Sequence, residues 1–514
     1  MHSNISAATT LGIHAYHVEI EVDLAYGMLQ FNIVGLPDTA IKESRQRISA
    51  ALKNCAIQLP ERKITVNLAP ADLKKEGTLF DLPIALGILH AAKHVPIQAS
   101  FVSETIVLGE LALDGRIKPI KGVLPIAYDA QRMKKKRIIL PKENAHEAAL
   151  IKDVEIIGVS TLPELIGYIR GETDITPTTP PDYAALQTAP HKLDFADVKG
   201  QKQAKRALQI AAAGRHNILF IGSPGSGKTM LAKRLPTIMP PMTFQEMLES
   251  TKVFSVSGKL HNQALVTQRP IRAPHHTISE PGLVGGGTVP QPGQISLAHN
   301  GILFLDELVE FKRSTLEVLR QPLENKTVSI TRSQNTLDFP ASFLLIAALN
   351  PCPCGYFSDK KRTCSCSYQQ IKKYLAKLSG PLLDRIDLQI PVQAVEYDTI
   401  NNKNTTPPTS SEKLYKEVYV AVNRQKKRFK DTPEHWNASM PAHMIDTICE
   451  ADLAAEKLIK QAFEKLNLSM RGYHKLLRVA RTIADLEDAD IIESKHVQEA
   501  IMYRSLDQTM EQLT

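Results

Sequence analysis

The residues best suited to chemistry in this sequence are a lysine and a threonine closing a glycine-rich turn. Gly222-Ser223-Pro224-Gly225-Ser226-Gly227-Lys228-Thr229 lets backbone N–H groups approach a phosphate chain with no Cβ in the way. Lys228 is spaced to reach the β- and γ-phosphates, and the Thr229 hydroxyl is spaced to meet Mg²⁺. Asp306-Glu307 adds two carboxylates. Asp306 would hold the Mg²⁺ shell, and Glu307 would orient and deprotonate an attacking water. Asn350 offers a neutral amide that could sense a γ-phosphate or position that water; an Asn capping the turn before Pro351 is the plainer alternative. Together these residue types specify binding and hydrolysis of ATP with Mg²⁺.

Each of these groups follows an apolar run. Asn217-Ile218-Leu219-Phe220-Ile221 precedes the glycine turn, and a helix-like Met230-Leu231-Ala232-Lys233-Arg234-Leu235 follows it. Gly301-Ile302-Leu303-Phe304-Leu305 ends in Asp306, and Phe343 to Leu349 ends in Asn350. Short apolar runs of this kind suit buried strands of a parallel sheet, whose C-terminal edge is where ligands bind. The class expected is α/β.

The chain has 514 residues, 43% hydrophobic and 23% charged, with a formal charge of +8. That is the composition of a multidomain globular protein. The charge fits a polyanionic partner but equally fits a mildly basic solvated surface. Met1 to Thr10 lacks the basic and apolar regions of a secretory signal, and no apolar run is long enough to cross a bilayer, so a cytoplasmic location without membrane contact is expected. Prolines among threonines, alanines and asparagines mark two linkers, residues 173–192 and 396–412. They separate a mixed strand-and-helix block (residues 1–172), the block carrying the phosphate chemistry (193–395) and a helical block (413–514). Cys352, Cys354, Cys364 and Cys366 bracket a polar insert, residues 352–366. In a reducing compartment four clustered cysteines favour a structural Zn²⁺ over disulfides, with free thiols as the competing reading.

Several further segments carry a family resemblance: Arg269-Pro270-Ile271-Arg272-Ala273-Pro274-His275-His276-Thr277, Leu283-Val284-Gly285-Gly286-Gly287, Pro292-Gly293-Gln294-Ile295-Ser296-Leu297-Ala298-His299 and Gly380-Pro381-Leu382-Leu383-Asp384-Arg385-Ile386-Asp387. With the three strands and their polar ends, they make the chain resemble the AAA+ ATPases of the magnesium-chelatase-like branch, specifically the ComM/YifB competence-related family, over nearly its whole length. The resemblance implies a P-loop AAA+ core with a C-terminal helical lid, assembled as a ring, usually a hexamer. It makes Arg385 an arginine finger donated to a neighbour's nucleotide, against the alternative of an intrachain pair with Asp384 or Asp387. It makes Arg471, in Ser469-Met470-Arg471-Gly472-Tyr473-His474, the sensor-2 arginine, with Arg478 and Arg481 as weaker candidates or plain surface charges. The first block resembles the Lon protease domain (an S5-like fold). Leu79 and Leu124 stand where its serine and lysine would be expected, so a non-proteolytic role is implied.

The same resemblance implies a DNA translocase or helicase that promotes branch migration in homologous recombination during natural transformation. Its partners would be single- and double-stranded DNA, branched intermediates or recombinase-coated DNA. Lys326 to Leu337 alternates as a β-hairpin with a basic tip at Arg332-Ser333, which suits phosphate oxygens. Arg269, Arg272, Lys326 and Arg332 are therefore the candidate DNA contacts. A magnesium-chelatase motor, with the Lon-like block speaking against it, and an ATP-dependent protease relative are the competing functions.

Overall fold

The computed structural model describes residues 1–180, 193–260, 263–287, 290–331, 336–357, 359, 362–395, 409–432 and 435–504. Most of the two expected linkers, and Arg332, lie outside the described residues.

The N-terminal block forms a sheet of β1 (His2–Leu11), β2 (His14–Ala25), β3 (Gln30–Val34) and β4 (Lys63–Ala69), ordered β1-β2-β4-β3. β1, β2 and β4 are antiparallel, and β3 runs parallel to β4. The helix Asp81–Ala91 is apolar nearly all round and buried all round against β1 and β2, as such a helix must be. Its one buried carboxylate, Asp81, is paired with Arg47 at 2.6 Å. A second, parallel sheet follows, with β5 (Thr105–Val107), β8 (Arg137–Pro141) and β9 (Glu155–Val159) side by side. Between β5 and β8 lies the small hairpin of β6 (Glu110–Leu111) and β7 (Ile117–Lys118). Both sheets share one core.

The central block is built on five parallel strands: β10 (Ile218–Ile221), β11 (Ile271–Arg272), β14 (Ile302–Leu305), β17 (Leu344–Leu349) and β18 (Leu388–Pro391), ordered β11-β14-β17-β10-β18. Side chains alternate across the sheet with period two. Ile218, Phe220, Ile302, Phe304, Ile346 and Ile390 enter the core shared with the helix Lys202–Gly214 and the C-terminal helices. Leu219, Leu303, Leu305, Leu345 and Leu349 enter a separate core on the other face. Both faces are covered, which is why the strands read as unbroken apolar runs rather than alternating ones. Two hairpins decorate the sheet, β12 (Gly285–Gly286) with β13 (Gln291–Pro292) and β15 (Thr327–Thr331) with β16 (Thr336–Pro340).

The C-terminal block is helical, with helices Ser411–Arg428, Ala442–Ile448, Leu453–Lys465, Met470–Leu486 and Ser494–Met502. Arg481 is not a surface charge: it is 1% exposed and ion-paired to Asp485 at 3.0 Å. A small fourth core joins the N-terminal and central blocks, where Leu124 and Leu150 meet Met242, Met247, Leu248, Leu265 and Val266. Leu124 thus serves packing, and Leu79 lies against the N-terminal core. Among the described residues no helix is long and apolar enough to cross a membrane.

Candidate nucleotide site

The glycine turn lies between β10 and the helix Lys228–Ala232, at the C-terminal edge of the sheet. Gly225 and Gly227 take left-handed φ values of +78° and +96°, which curl the backbone into a hollow of the kind that binds anions. At Gly222 a Cβ would lie 2.1 Å from the Val392 carbonyl oxygen, so only glycine fits the start of the turn. Lys228 Nζ donates to the Gly222 and Ser223 carbonyls at 2.7 and 3.0 Å and to Asn350 Oδ1 at 3.2 Å. A phosphate entering the hollow meets an ammonium already in place. Burial lowers the Lys228 pKa, an effect that Asp306 and Glu307 oppose. The Ser226 hydroxyl is buried without a hydrogen-bond partner, a polar atom left for a ligand.

Thr229 Oγ1 donates to Asp306 Oδ2 at 2.7 Å, bringing together the hydroxyl and carboxylate suited to an Mg²⁺ shell. Bound there, Mg²⁺ would neutralise charge on the phosphates. Glu307 is held at φ +52°, a conformation that costs a non-glycine residue about 1–3 kcal/mol and clusters at functional sites. Its carboxylate lies 3.2 Å from His276 Nδ1. His276 in turn meets His275 with ring centres 4.1 Å apart and packs edge-on to Phe311. Sequence reasoning assigned the two histidines no role beside Glu307, and nothing in their spacing places them there. The residue types brought together are those suited to phosphate binding, a metal shell and a base for water.

Arg385 and Arg471 are not at this site. Asn217, at the start of β10, donates its side-chain N–H to the Arg385 carbonyl at 2.9 Å. Five extended residues from Asn217 to Gly222 span on the order of 16 Å, so Arg385 sits at the opposite edge of the sheet from Lys228. Both arginines converge on one carboxylate oxygen: Arg385 Nη2 and Arg471 Nη2 each lie 2.6 Å from Glu324 Oε1. The intrachain partner of Arg385 is therefore Glu324, not Asp384 or Asp387. The pair keeps the Glu324 pKa below the usual carboxylate range, Arg385 contributing most. A cavity of about 520 Å³ surrounds them, lined also by Lys326, Lys475 and Arg478. Beneath it Asp387 is buried: desolvation opposes its charge, but Lys475 at 3.0 Å and His216 at 3.5 Å hold its pKa below the usual range.

The expected DNA contacts separate. Arg269 is buried and committed: Nε donates to the Pro240 carbonyl at 2.8 Å, and the other nitrogens reach the Asn300 carbonyl and Glu246. Its reading as a DNA contact is corrected, because a desolvated guanidinium in such a network braces the fold. Arg272 is half-buried with its guanidinium 4.8 Å from the centre of the Phe254 ring. Lys326 is exposed, at the entry to β15. The four cysteine sulfurs of residues 352, 354, 364 and 366 lie within 4.8 Å of one another, a set that could hold a metal ion. Cys55 and Cys449 stand apart from them.

Comparison with known proteins fits this geometry. A family model for magnesium chelatase subunit ChlI matches residues 194–400, a second for ChlI matches 20–144, and one for the ChlI C-terminal region matches 408–504. The chain is 42% identical to competence protein ComM of Haemophilus influenzae over 99% of both chains. It is 39% identical to the uncharacterized protein YifB of Escherichia coli, over 99% of this chain and 98% of the relative. It is 26% identical to Lon protease 2 of Bacillus subtilis, over 30% of this chain and 29% of that one.

Proposed function

This chain belongs to the ComM/YifB family of magnesium-chelatase-like AAA+ proteins, and from that premise we propose that it is a ring-forming ATPase that translocates DNA. The task proposed is branch migration of recombination intermediates during natural transformation, with single- and double-stranded or recombinase-coated DNA as partners and a hexamer as the working form. The observation that carries the proposal is the division of one catalytic set between two edges of a sheet. Lys228, Thr229, Asp306, Glu307 and Asn350 gather at the C-terminal edge, while Arg385 and Arg471 stand at the other. A neighbouring protomer that set this Arg385 end against the C-terminal edge would bring those arginines to the nucleotide.

The mechanism follows from that division. ATP would lie in the glycine turn with Lys228 on its β- and γ-phosphates. Glu307 takes a proton from water as it attacks the γ-phosphorus, and Arg385 from the next protomer offsets the charge that grows on the transferred group. Arg471, sharing Glu324 with Arg385, would move with it and report the neighbour's state to the helical lid. The β15–β16 hairpin, with Arg332 in the sequence joining its strands, and Lys326 at its base are the proposed DNA grip, with Arg272 a secondary contact. The likeness of the whole chain to a protein named for competence directs the substrate reading to DNA.

A chelatase motor remains the second reading, because the ChlI models match all three blocks. The N-terminal block does not speak against it, since one of those models covers that block. A protease is disfavoured by the two leucines. The deciding experiment assays purified protein for ATP turnover with single-stranded DNA, with porphyrin and chelatase partner subunits, or with casein, alongside three-strand branch migration. Stimulation by DNA and strand exchange support the proposal. Turnover indifferent to DNA but raised by chelatase partners would overturn it.

A further inference from the structure

We infer that Cys352, Cys354, Cys364 and Cys366 hold one Zn²⁺ that sets the shape of the nucleotide site in its own protomer. The Sγ–Sγ separations are 3.3 Å for Cys352–Cys354, 3.7 Å for Cys352–Cys364 and 3.5 Å for Cys354–Cys364. A tetrahedral Zn²⁺ with Zn–S near 2.3 Å requires sulfurs about 3.8 Å apart. Three backbone N–H groups point at the sulfurs: Phe357 at Cys352 (3.3 Å), Cys354 at Cys366 (3.4 Å) and Cys366 at Cys364 (3.4 Å). A neutral thiol is a weak acceptor, whereas a metal-bound thiolate is a strong one whose orientation such donors fix. The separations are too short to enclose an iron–sulfur cluster, and a closed set of four thiolates leaves no position for catalysis.

The site's neighbours give it a role. Cys352 lies two residues after Asn350, which holds Lys228, and the Leu349 carbonyl accepts the Gly222 N–H at 3.2 Å. The turn Cys352–Gly355 then presses on the glycine-rich loop: a Cβ on Gly355 would come within 2.7 Å of Pro224 Cδ. On the other side Ser367, next to Cys366, caps the helix Tyr368–Leu375. That helix packs in the same core as Leu378, Leu382 and Ile386, which flank Arg385. One ion would therefore clamp three things at once: the lysine's partner Asn350, the loop that cradles phosphate, and the segment ending in the arginine meant for the neighbour. Without the metal, the described part of this segment keeps its side-chain packing and turn hydrogen bonds such as Gly355 N–H to the Cys352 carbonyl at 3.0 Å, which tie the turn to itself and not to Cys364.

The inference rests on the nucleotide reading above, and its test separates the two. Zinc content of the purified chain is measured by atomic emission, and the affinity for Mg–ATPγS by calorimetry without DNA. Wild-type protein should hold one zinc per chain. Cys364→Ser/Cys366→Ser should lose it and bind ATPγS at least about tenfold more weakly, an order of magnitude typical of lost metal-site support, with the far-ultraviolet spectrum reporting folding. Gly355→Ala keeps all four thiols but intrudes on Pro224; it should retain zinc and weaken ATPγS severalfold. Folded wild-type protein without zinc would overturn the site. A zinc-free variant, or Gly355→Ala, with unchanged ATPγS affinity would overturn the coupling. Wild-type protein that holds zinc but binds no ATPγS would instead strike the nucleotide reading.

Discussion

Single residues carry the chemistry and define the sharpest tests. Lys228→Ala removes the one cation in the glycine turn and should lower ATP turnover by at least about a hundredfold, as loss of a preorganised charge does; persistence of Mg²⁺-dependent turnover at wild-type rate would refute the site. His276→Ala leaves the turn intact and takes away the group beside Glu307, so kcat should fall while the affinity for nucleotide holds. An equal change in both would mean that the histidine only supports the fold. Asp387→Asn tests the buried charge under the arginine pocket. Removing one partner of a buried ion pair costs about 3–5 kcal/mol, read as a lower midpoint in urea. The residue level was also the most legible in sequence, because the glycine turn, the acidic pair and Asn350 each follow an apolar run. His276 and Glu324 were not legible, since each meets its partner through the tertiary fold: Glu324 and Arg471 lie 147 positions apart.

Elements position these residues, and some of their contributions depend on pH. Glu249, on the helix Phe244–Ser257, accepts a hydrogen bond from His299 at 3.3 Å just before β14, and its pKa is pulled down to about 2, chiefly by that bond. A carboxylate depressed from an ordinary 4.5 contributes stability that is complete above 4.5 and lost as pH falls toward 2. Glu249→Gln should flatten the acid limb of the stability profile in that window, and an unchanged limb would show that the contact is not formed. The β15–β16 hairpin is the element to test for DNA. Arg332→Glu should reduce DNA stimulation while leaving basal turnover intact, and equal stimulation in both proteins would remove the hairpin from the grip. Strands were the most readable elements, since two-sided burial leaves unbroken apolar runs. Short strands such as β11 and β12 escaped notice because two residues carry no periodicity.

At the scale of the whole molecule the prediction concerns neighbours. Arg385→Ala alone should keep nucleotide binding and lose roughly 10³-fold in turnover, the scale of a missing arginine finger. Glu307→Gln alone should also be inactive. Mixed, the two variants should regain activity, because interfaces then form in which an intact Arg385 faces an intact Glu307. Mixtures as inactive as their components would place both groups in one protomer's site and sink the shared-site model. The joint between the N-terminal and central blocks carries a buried hydrogen bond beside its apolar contacts. Glu147 is buried beneath Ser255 and the Leu124 N–H, and burial raises its pKa despite both bonds. A carboxylate in such a place fixes one mutual orientation.

By itself the sequence determined the parallel α/β core, the family and where the residues suited to phosphate chemistry lie, because local motifs on apolar strands need no tertiary partner to be recognised. Only the tertiary structure decided that Arg385 and Arg471 meet at Glu324, at the end of the sheet away from Lys228. That outcome depends on strand direction: Arg385 precedes β18 as Asn217 precedes β10, so both lie at the N-terminal ends of parallel strands, a strand's length from the glycine turn. It also decided that Arg269 is buried while Lys326 is exposed, since a guanidinium's fate is set by the carboxylates and carbonyls that folding brings to it. Charge and spacing look the same in either case.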